Sequence, residues 1–152
     1  MRPAYHYEYM HIGTAMSMNT IEQIKKHEGF KSKPYLCTAG RQTIGYGLNL
    51  DAGITEEEAE VILSMRVEGI RKRLANAIPW YANLTAPRQG VLVNMAYNLG
   101  VTGLMGFAKT LTHIRSGDYN TASDEMLDSL WARQVPTRAA ELALQMQTGE
   151  WQ

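Results

Sequence analysis

Residues 28–47 read Glu28-Gly29-Phe30-Lys31-Ser32-Lys33-Pro34-Tyr35-Leu36-Cys37-Thr38-Ala39-Gly40-Arg41-Gln42-Thr43-Ile44-Gly45-Tyr46-Gly47, and the order of residue types in this stretch decides the fold. Gly29 is a left-handed helix stop. Pro34 then bars a return to helix and opens an extended segment. Tyr35-Leu36-Cys37-Thr38 alternates, Ala39-Gly40-Arg41 reads as a turn, and Gln42-Thr43-Ile44-Gly45-Tyr46 alternates again, so residues 35–47 are expected to form a hairpin. Gly45 and Gly47 point to close backbone approach or to irregularity at the strand end.

Working outward, the segment before this stretch reads as a helix from about Thr20 to Glu28. Asn19 is placed to cap it, Glu22 completes a capping-box-like pattern, and Ile21 and Ile24 share one face. After the loop Asp51-Ala52-Gly53, Thr55-Glu56-Glu57-Glu58 forms a capping box that opens a long helix to about Ala77. Ala59, Ile62, Met65, Gly69 and Ile70 lie near one stripe of it, with Val61 and Leu74 beside. Thr85 caps the next helix, with Pro87 in its first turn. Leu92, Met95, Ala96 and Leu99 then repeat at helical spacing, and Gly100 is expected to close the helix. Three shorter helices are expected near 107–116, 119–130 and 137–147. The fold class is α+β: a mainly helical chain, with a small N-terminal hairpin lobe joined by a long helix to a C-terminal helical bundle. A cleft is expected where the two lobes meet.

The 152 residues suit one domain, read as residues 19–152, after an extension at 1–18 in which Met16 or Met18 can serve as the start of translation. Fifteen basic and fifteen acidic residues cancel, so no nucleic-acid partner is expected. No apolar run reaches the 18 residues of a membrane span. The single cysteine excludes an internal disulfide framework and a cysteine-based zinc cluster, and neither a metal nor a cofactor is expected. Gly45-Tyr46-Gly47 lacks the longer pattern and following helix of a phosphate loop.

Glu28 closes the first helix, where the negative end of the dipole opposes a carboxylate and favours its protonated form. A proton available near neutral pH is what a general acid for glycoside cleavage needs. Helix-end glutamates are mostly plain surface residues, so position alone says little. Nine residues on stands Cys37, and six further Thr43. A cysteine on a short strand is most often a half-buried apolar side chain. Lys31, Lys33 and Arg41 are placed to lower its pKa instead.

The segment from Glu28-Gly29-Phe30 through Tyr35, Cys37 and Gly40 to Thr43-Ile44-Gly45-Tyr46-Gly47 resembles the T-even bacteriophage lysozyme family, glycoside hydrolase family 24. The resemblance extends over roughly residues 19–151. It takes in Arg88-Gln89-Gly90, Asn94-Met95-Ala96-Tyr97-Asn98-Leu99-Gly100, Phe107, Leu111, Trp131, Pro136-Thr137-Arg138-Ala139-Ala140-Glu141 and Thr148-Gly149-Glu150-Trp151. It implies a lysozyme-like fold and a Glu–Asp–Thr triad on a helix end and a hairpin. By resemblance Glu28 is the acid, Thr43 positions water or the reacting sugar, Arg138 pairs with and orients the glutamate, and Tyr46 and Asn98 bind substrate. An Arg138 pairing would lower the pKa of Glu28 against the dipole, and the net direction stays open.

Two positions depart from the family pattern. Leu48 stands where many members have histidine. Cys37 stands where aspartate is commonest, although a glycosidase usually employs two carboxylates. A thiolate can serve as anion, as base for water or as nucleophile, so inverting and retaining outcomes both stay open. Asp51, just past the hairpin, is an alternative carboxylate.

The implied activity is that of an endolysin muramidase. It would hydrolyse the β-1,4 bond between N-acetylmuramic acid and N-acetylglucosamine in peptidoglycan and lyse the bacterial host. The rivals are a lytic transglycosylase using Glu28 alone and a wall-binding module without catalysis. A monomer is expected, held in the host cytoplasm before lysis. It would act on periplasmic peptidoglycan once a holin-type protein has permeabilised the membrane.

Overall fold

The structure, a computed structural model, describes the backbone of residues 15–152 and the side chains from Thr20 onward. The expected extension at 1–18 lies outside the described residues except for 15–18, which are helical. The chain divides into two compact units at Glu56 and Glu57.

The N-terminal unit begins with α1, Ala15–Glu28. The helix starts earlier than the capping pattern at Asn19 implies, because no glycine or proline interrupts residues 15–19. Its end is as expected. Gly29 takes φ 67° and donates its N–H to the Lys25 carbonyl at 2.9 Å. Lys25, Lys26 and His27 in the last turn complement the negative helix end.

The strands β1 (Lys31–Leu36), β2 (Gln42–Gly45) and β3 (Leu48–Asn49) form an antiparallel sheet in that order. The expected hairpin therefore gains a third short strand. Pro34 lies inside β1, which an edge strand tolerates, and the register slips between Lys31 and Tyr35. The β1–β2 turn is closed by the Gly40 N–H on the Cys37 carbonyl (2.8 Å) and the Cys37 N–H on the Arg41 carbonyl (3.0 Å), with Gly40 at φ 73°. A single 3-10 turn, Leu50–Ala52, follows β3.

The C-terminal unit is helical. Its elements are α2 (Glu56–Ala77), α3 (Ala86–Met105), α4 (Ala108–Ser116), α5 (Tyr119–Leu127), α6 (Leu130–Gln134) and α7 (Pro136–Thr148). The centre is α3, whose Val91, Leu92 and Met95 are fully buried among Leu74, Leu104, Ile114, Met126 and Met146. Arg88 fastens the end of α7, donating from Nε to the Met146 carbonyl (2.9 Å) and from a terminal nitrogen to that of Gln147 (3.1 Å). Those carbonyls belong to the last helical turn, which has no intrahelical donors of its own.

Four expectations change here. Gly100 ends the first helical stretch of α3 as expected, at φ 78° and ψ 158°, but a further stretch that was not expected runs on across the kink to Met105. The helix expected over 119–130 stops at Leu127, and Ser129 starts a separate one. The Ser129 hydroxyl oxygen accepts the Ala132 N–H (3.0 Å) and donates to the Met126 carbonyl (2.7 Å). Thr85 holds the N-cap position of α3 without a side-chain hydrogen bond. None of the α2 stripe is buried, Ile62 and Met65 being exposed, and only Leu74 beside it is sealed from water. A 22-residue helix reaches about 33 Å. Only its later turns, with Val67, Ile70 and Leu74, pack on the core.

Candidate active site

The N-terminal unit gathers Glu28, Cys37, Thr43 and Tyr46 on one helix end and one small sheet. The Glu28 carboxylate is exposed and lies directly over Gly47. A methyl group on Gly47 would stand 2.5 Å from Glu28 Oε2 and 2.7 Å from Cδ. Gly47 also takes φ 77°, a conformation side chains resist. The glycine therefore satisfies two demands at once, the turn from β2 into β3 and the seat for the carboxylate.

Tyr46 and Phe30 steady the same corner. Their ring centroids are 5.5 Å apart, and the Lys25 ammonium lies 5.7 Å from the Tyr46 ring centre. The Lys25 ammonium also pairs with Glu22 at 2.9 Å. The contacts of Tyr46, read from sequence as a sugar binder, thus tie the β2–β3 connection to the end of α1.

At the other end of β2, Cys37 is half-buried in the β1–β2 turn. Its thiol is held below the ordinary cysteine range. The backbone N–H groups of Arg41 and Ala39 contribute first, then the Thr43 hydroxyl and the Arg41 charge, against partial desolvation. Arg41 therefore acts mainly through its amide, and Lys31 and Lys33, expected to share the work, do not contribute. Thr43 is the one buried side chain among the described residues of this unit. Its hydroxyl donates to the Arg41 carbonyl at 3.1 Å. A hydroxyl has one proton, so Thr43 donates to that carbonyl or to the sulfur and keeps lone pairs for a water molecule. Thr43 stands between the two ends, paired with Tyr35 on one side and Asn49 on the other.

Asp51 is not an idle carboxylate. Its Oδ2 accepts the Gln42 N–H at 3.1 Å. Among the described residues no group of three or more His, Cys, Asp or Glu could hold a metal ion.

Arg138 and Asn98 belong to the C-terminal unit. Arg138 is exposed in the first turn of α7. The Asn98 side-chain carbonyl accepts the Trp131 indole N–H at 2.8 Å, and that indole meets Phe107 edge to face at 6.1 Å. Asn98 thus answers the one polar atom of an otherwise apolar buried ring. Trp131 also borders a concave site of about 640 Å³ with Phe107, Thr110, Glu125, Asp128 and Gln134. No local pattern in the sequence marks it, because its lining is drawn from α3, α4, α5 and α6 and their connections. Trp151, by contrast, is largely exposed and packs on Gly90, where a methyl group would meet its ring at 2.6 Å.

The sequence model of the phage lysozyme family matches residues 25–143. An endolysin of Acyrthosiphon pisum secondary endosymbiont phage 1 is 33% identical over 108 residues, covering 68% of this chain and 72% of that protein. The pre-baseplate central spike protein Gp5 of Enterobacteria phage T4 is 27% identical over 162 aligned positions. They cover 88% of this chain but only 28% of the spike protein. The probable T4-type lysozyme 1 of Dictyostelium discoideum is 25% identical, covering 84% of this chain and 93% of that protein.

Proposed function

Because this chain belongs to the phage lysozyme family and is a glycoside hydrolase that lyses peptidoglycan, we propose that it is a muramidase in which Glu28 is the acid and Cys37 replaces the usual second carboxylate. The bond cleaved is the β-1,4 linkage from N-acetylmuramic acid to N-acetylglucosamine. Glu28 gives its proton to the glycosidic oxygen as the C1–O bond breaks. Water attacks C1, its proton passes to the Cys37 thiolate, and Thr43 accepts a hydrogen bond from that water. Solvent then takes the proton from the Cys37 thiol, regenerating the thiolate, and returns one to Glu28. The observation that carries this reading is an accessible carboxylate at the end of α1, seated on Gly47 at one end of β2, together with a thiol at the other end of β2 whose ionised form is favoured by two backbone amides. Arg138 is the proposed partner that orients Glu28, and Tyr46 and Asn98 are proposed to border the sugar path.

The biological role proposed is lysis of a bacterial host. The enzyme would accumulate in the host cytoplasm as a monomer and reach the wall after a holin-type protein opens the membrane. No single helix among the described residues is long and apolar enough to cross a membrane.

The test is turbidity loss of outer-membrane-permeabilised cells, with mass analysis of the products. Glu28→Gln is expected to lower the rate by at least about a hundredfold, the reach of one general acid, with unchanged circular dichroism. Cys37→Ser is expected to be crippled and Cys37→Asp active. Wild-type-like lysis by Glu28→Gln removes the assignment. Full activity of Cys37→Ser removes the thiol from it. Products ending in anhydro-muramic acid would instead identify a transglycosylase.

A further inference from the structure

Asp51 is the acidic residue nearest the hairpin in sequence, and its bonds point to a different task from chemistry on a sugar. Strand β3 is only two residues long. Its pairs are Ile44 with Leu48 and Thr43 with Asn49, after which the chain turns away into the Leu50–Ala52 turn. Gln42, one residue beyond the last pair, finds no backbone acceptor on β3. Asp51 Oδ2 accepts its N–H at 3.1 Å. Asp51 is itself fixed, because its N–H binds the Asn49 side-chain oxygen at 3.0 Å and Gly53 closes the turn on the Leu50 carbonyl at 3.0 Å.

We propose that Asp51 is a positioning residue: by clipping the first residue of β2 it fixes Arg41 and Thr43, the residues on either side of Gln42, in the turn around the Cys37 thiol, where the Arg41 carbonyl accepts both the Cys37 N–H at 3.0 Å and the Thr43 hydroxyl at 3.1 Å. The proposal rests on the role given to Cys37 above. The turn needs such a clip, because apart from Thr43 no described side chain in the unit is buried, so no core holds the strand end in register. The sign of the effect separates positioning from charge. A carboxylate acting through its field would oppose a nearby thiolate, whereas one acting through Gln42 favours it.

The experiment uses the full chain, whose single cysteine makes alkylation by iodoacetamide report Cys37 alone. In Asp51→Ala the alkylation rate at pH 7 is expected to fall about three- to tenfold, the effect of raising the thiol midpoint by about half to one unit. The kcat on purified wall should fall with it, while KM stays unchanged. Asp51→Asn keeps an acceptor without the charge. It is expected to preserve the alkylation profile, kcat and slow exchange of the Gln42 amide hydrogen, all of which alanine loses. If alanine compromises folding, Asp51→Ser, whose hydroxyl is one atom short of Gln42, is expected to show the same shift. An unchanged alkylation profile in alanine and serine overturns the proposal. So does faster alkylation in Asp51→Asn, which would mark a field effect. Loss of hydrolysis in Asp51→Asn with an intact thiol profile would make Asp51 a catalytic carboxylate. Absence of wall hydrolysis by the wild type would refute the proposed function, while the alkylation and exchange arms would still decide the positioning role.

Discussion

The two units of this chain are held together by different physics. In the C-terminal unit every helix from α2 to α7 contributes to one apolar cluster, and its largest side chains are sealed from water. In the N-terminal unit one threonine is buried among the described residues, and order comes from directional devices. These are the Gly40 turn, the Asp51 and Asn49 bonds, the Lys25–Tyr46–Phe30 stack and the seat of Glu28 on Gly47. Burial is non-directional and scales with area. Hydrogen bonds and glycine turns fix orientation while leaving groups wet. The proposed acid and thiol, if they are to meet a hydrophilic polymer, are better served by the second kind of order.

The comparison predicts opposite responses to substitution. The largest stability effect belongs to the helical unit. Leu92→Ala removes a fully buried side chain at the middle of α3 and is expected to cost about 2–5 kcal/mol. Denaturant unfolding followed by tryptophan fluorescence measures it, since all three tryptophans lie in that unit. A cost below about 1 kcal/mol, the scale of a tolerated volume-conserving swap, would mean that α3 is not the centre of the core.

Next in size is Gly47→Ala. The left-handed backbone alone predicts a loss of about 1–2 kcal/mol. The flexible, exposed Glu28 side chain can swing away from the new methyl group, so the steric clash adds little to that cost. It does displace the acid. Wall hydrolysis is therefore expected to fall far more than stability, by at least about tenfold for an acid moved by roughly an ångström. If activity survives in proportion to folded protein, Glu28 does not work from its seat on Gly47.

The same division explains what the sequence disclosed. Helix α3 was legible because Leu92, Met95 and Ala96 repeat at helical spacing and burial enforces the period. The hairpin was legible because Pro34 excludes helix and Gly40, Gly45 and Gly47 supply the positive φ that other residues resist. Glu28, Cys37 and Thr43 stood out only through a spacing shared with a known family. What stayed hidden depends on contacts between residues that carry no local signature. The Gln42–Asp51 clip joins a backbone N–H to a side chain nine positions away. The larger Arg41 contribution to Cys37 comes from its amide, which any residue there except proline would supply. The break between α5 and α6 was visible in principle. Asp128-Ser129 before Leu130-Trp131 is a capping signal, but it lay inside a stretch whose periodicity suggested one continuous helix. The kink at Gly100 was half legible, since glycine announces a positive φ without saying whether the helix resumes.

The smallest effect probes the N-terminal unit by pH. Folding places the Cys37 thiol among donors that favour its ionised form, so its pKa in the folded chain lies below the unfolded value of about 8.5. Between those two values the unfolded chain binds more protons than the folded one, and stability rises with pH. Well below the folded pKa both states carry the proton, and the contribution vanishes. The stability of the wild type relative to Cys37→Ser should therefore grow from pH 6 to pH 9 and fade as pH falls through the folded value. Asp118 gives the contrasting case in the helical unit. Its carboxylate is held low first by its side-chain hydrogen bond with Thr121 and then by the Thr121 N–H, and its contribution is lost only in acid. Native-state exchange of the residue-37 and Gly40 amide hydrogens in the two chains across pH 6 to 9 measures the difference. A gap between wild type and Cys37→Ser that stays constant with pH would show that the turn orients an ordinary thiol without favouring its anion. The thiolate would then lose its claim to stand in for a carboxylate.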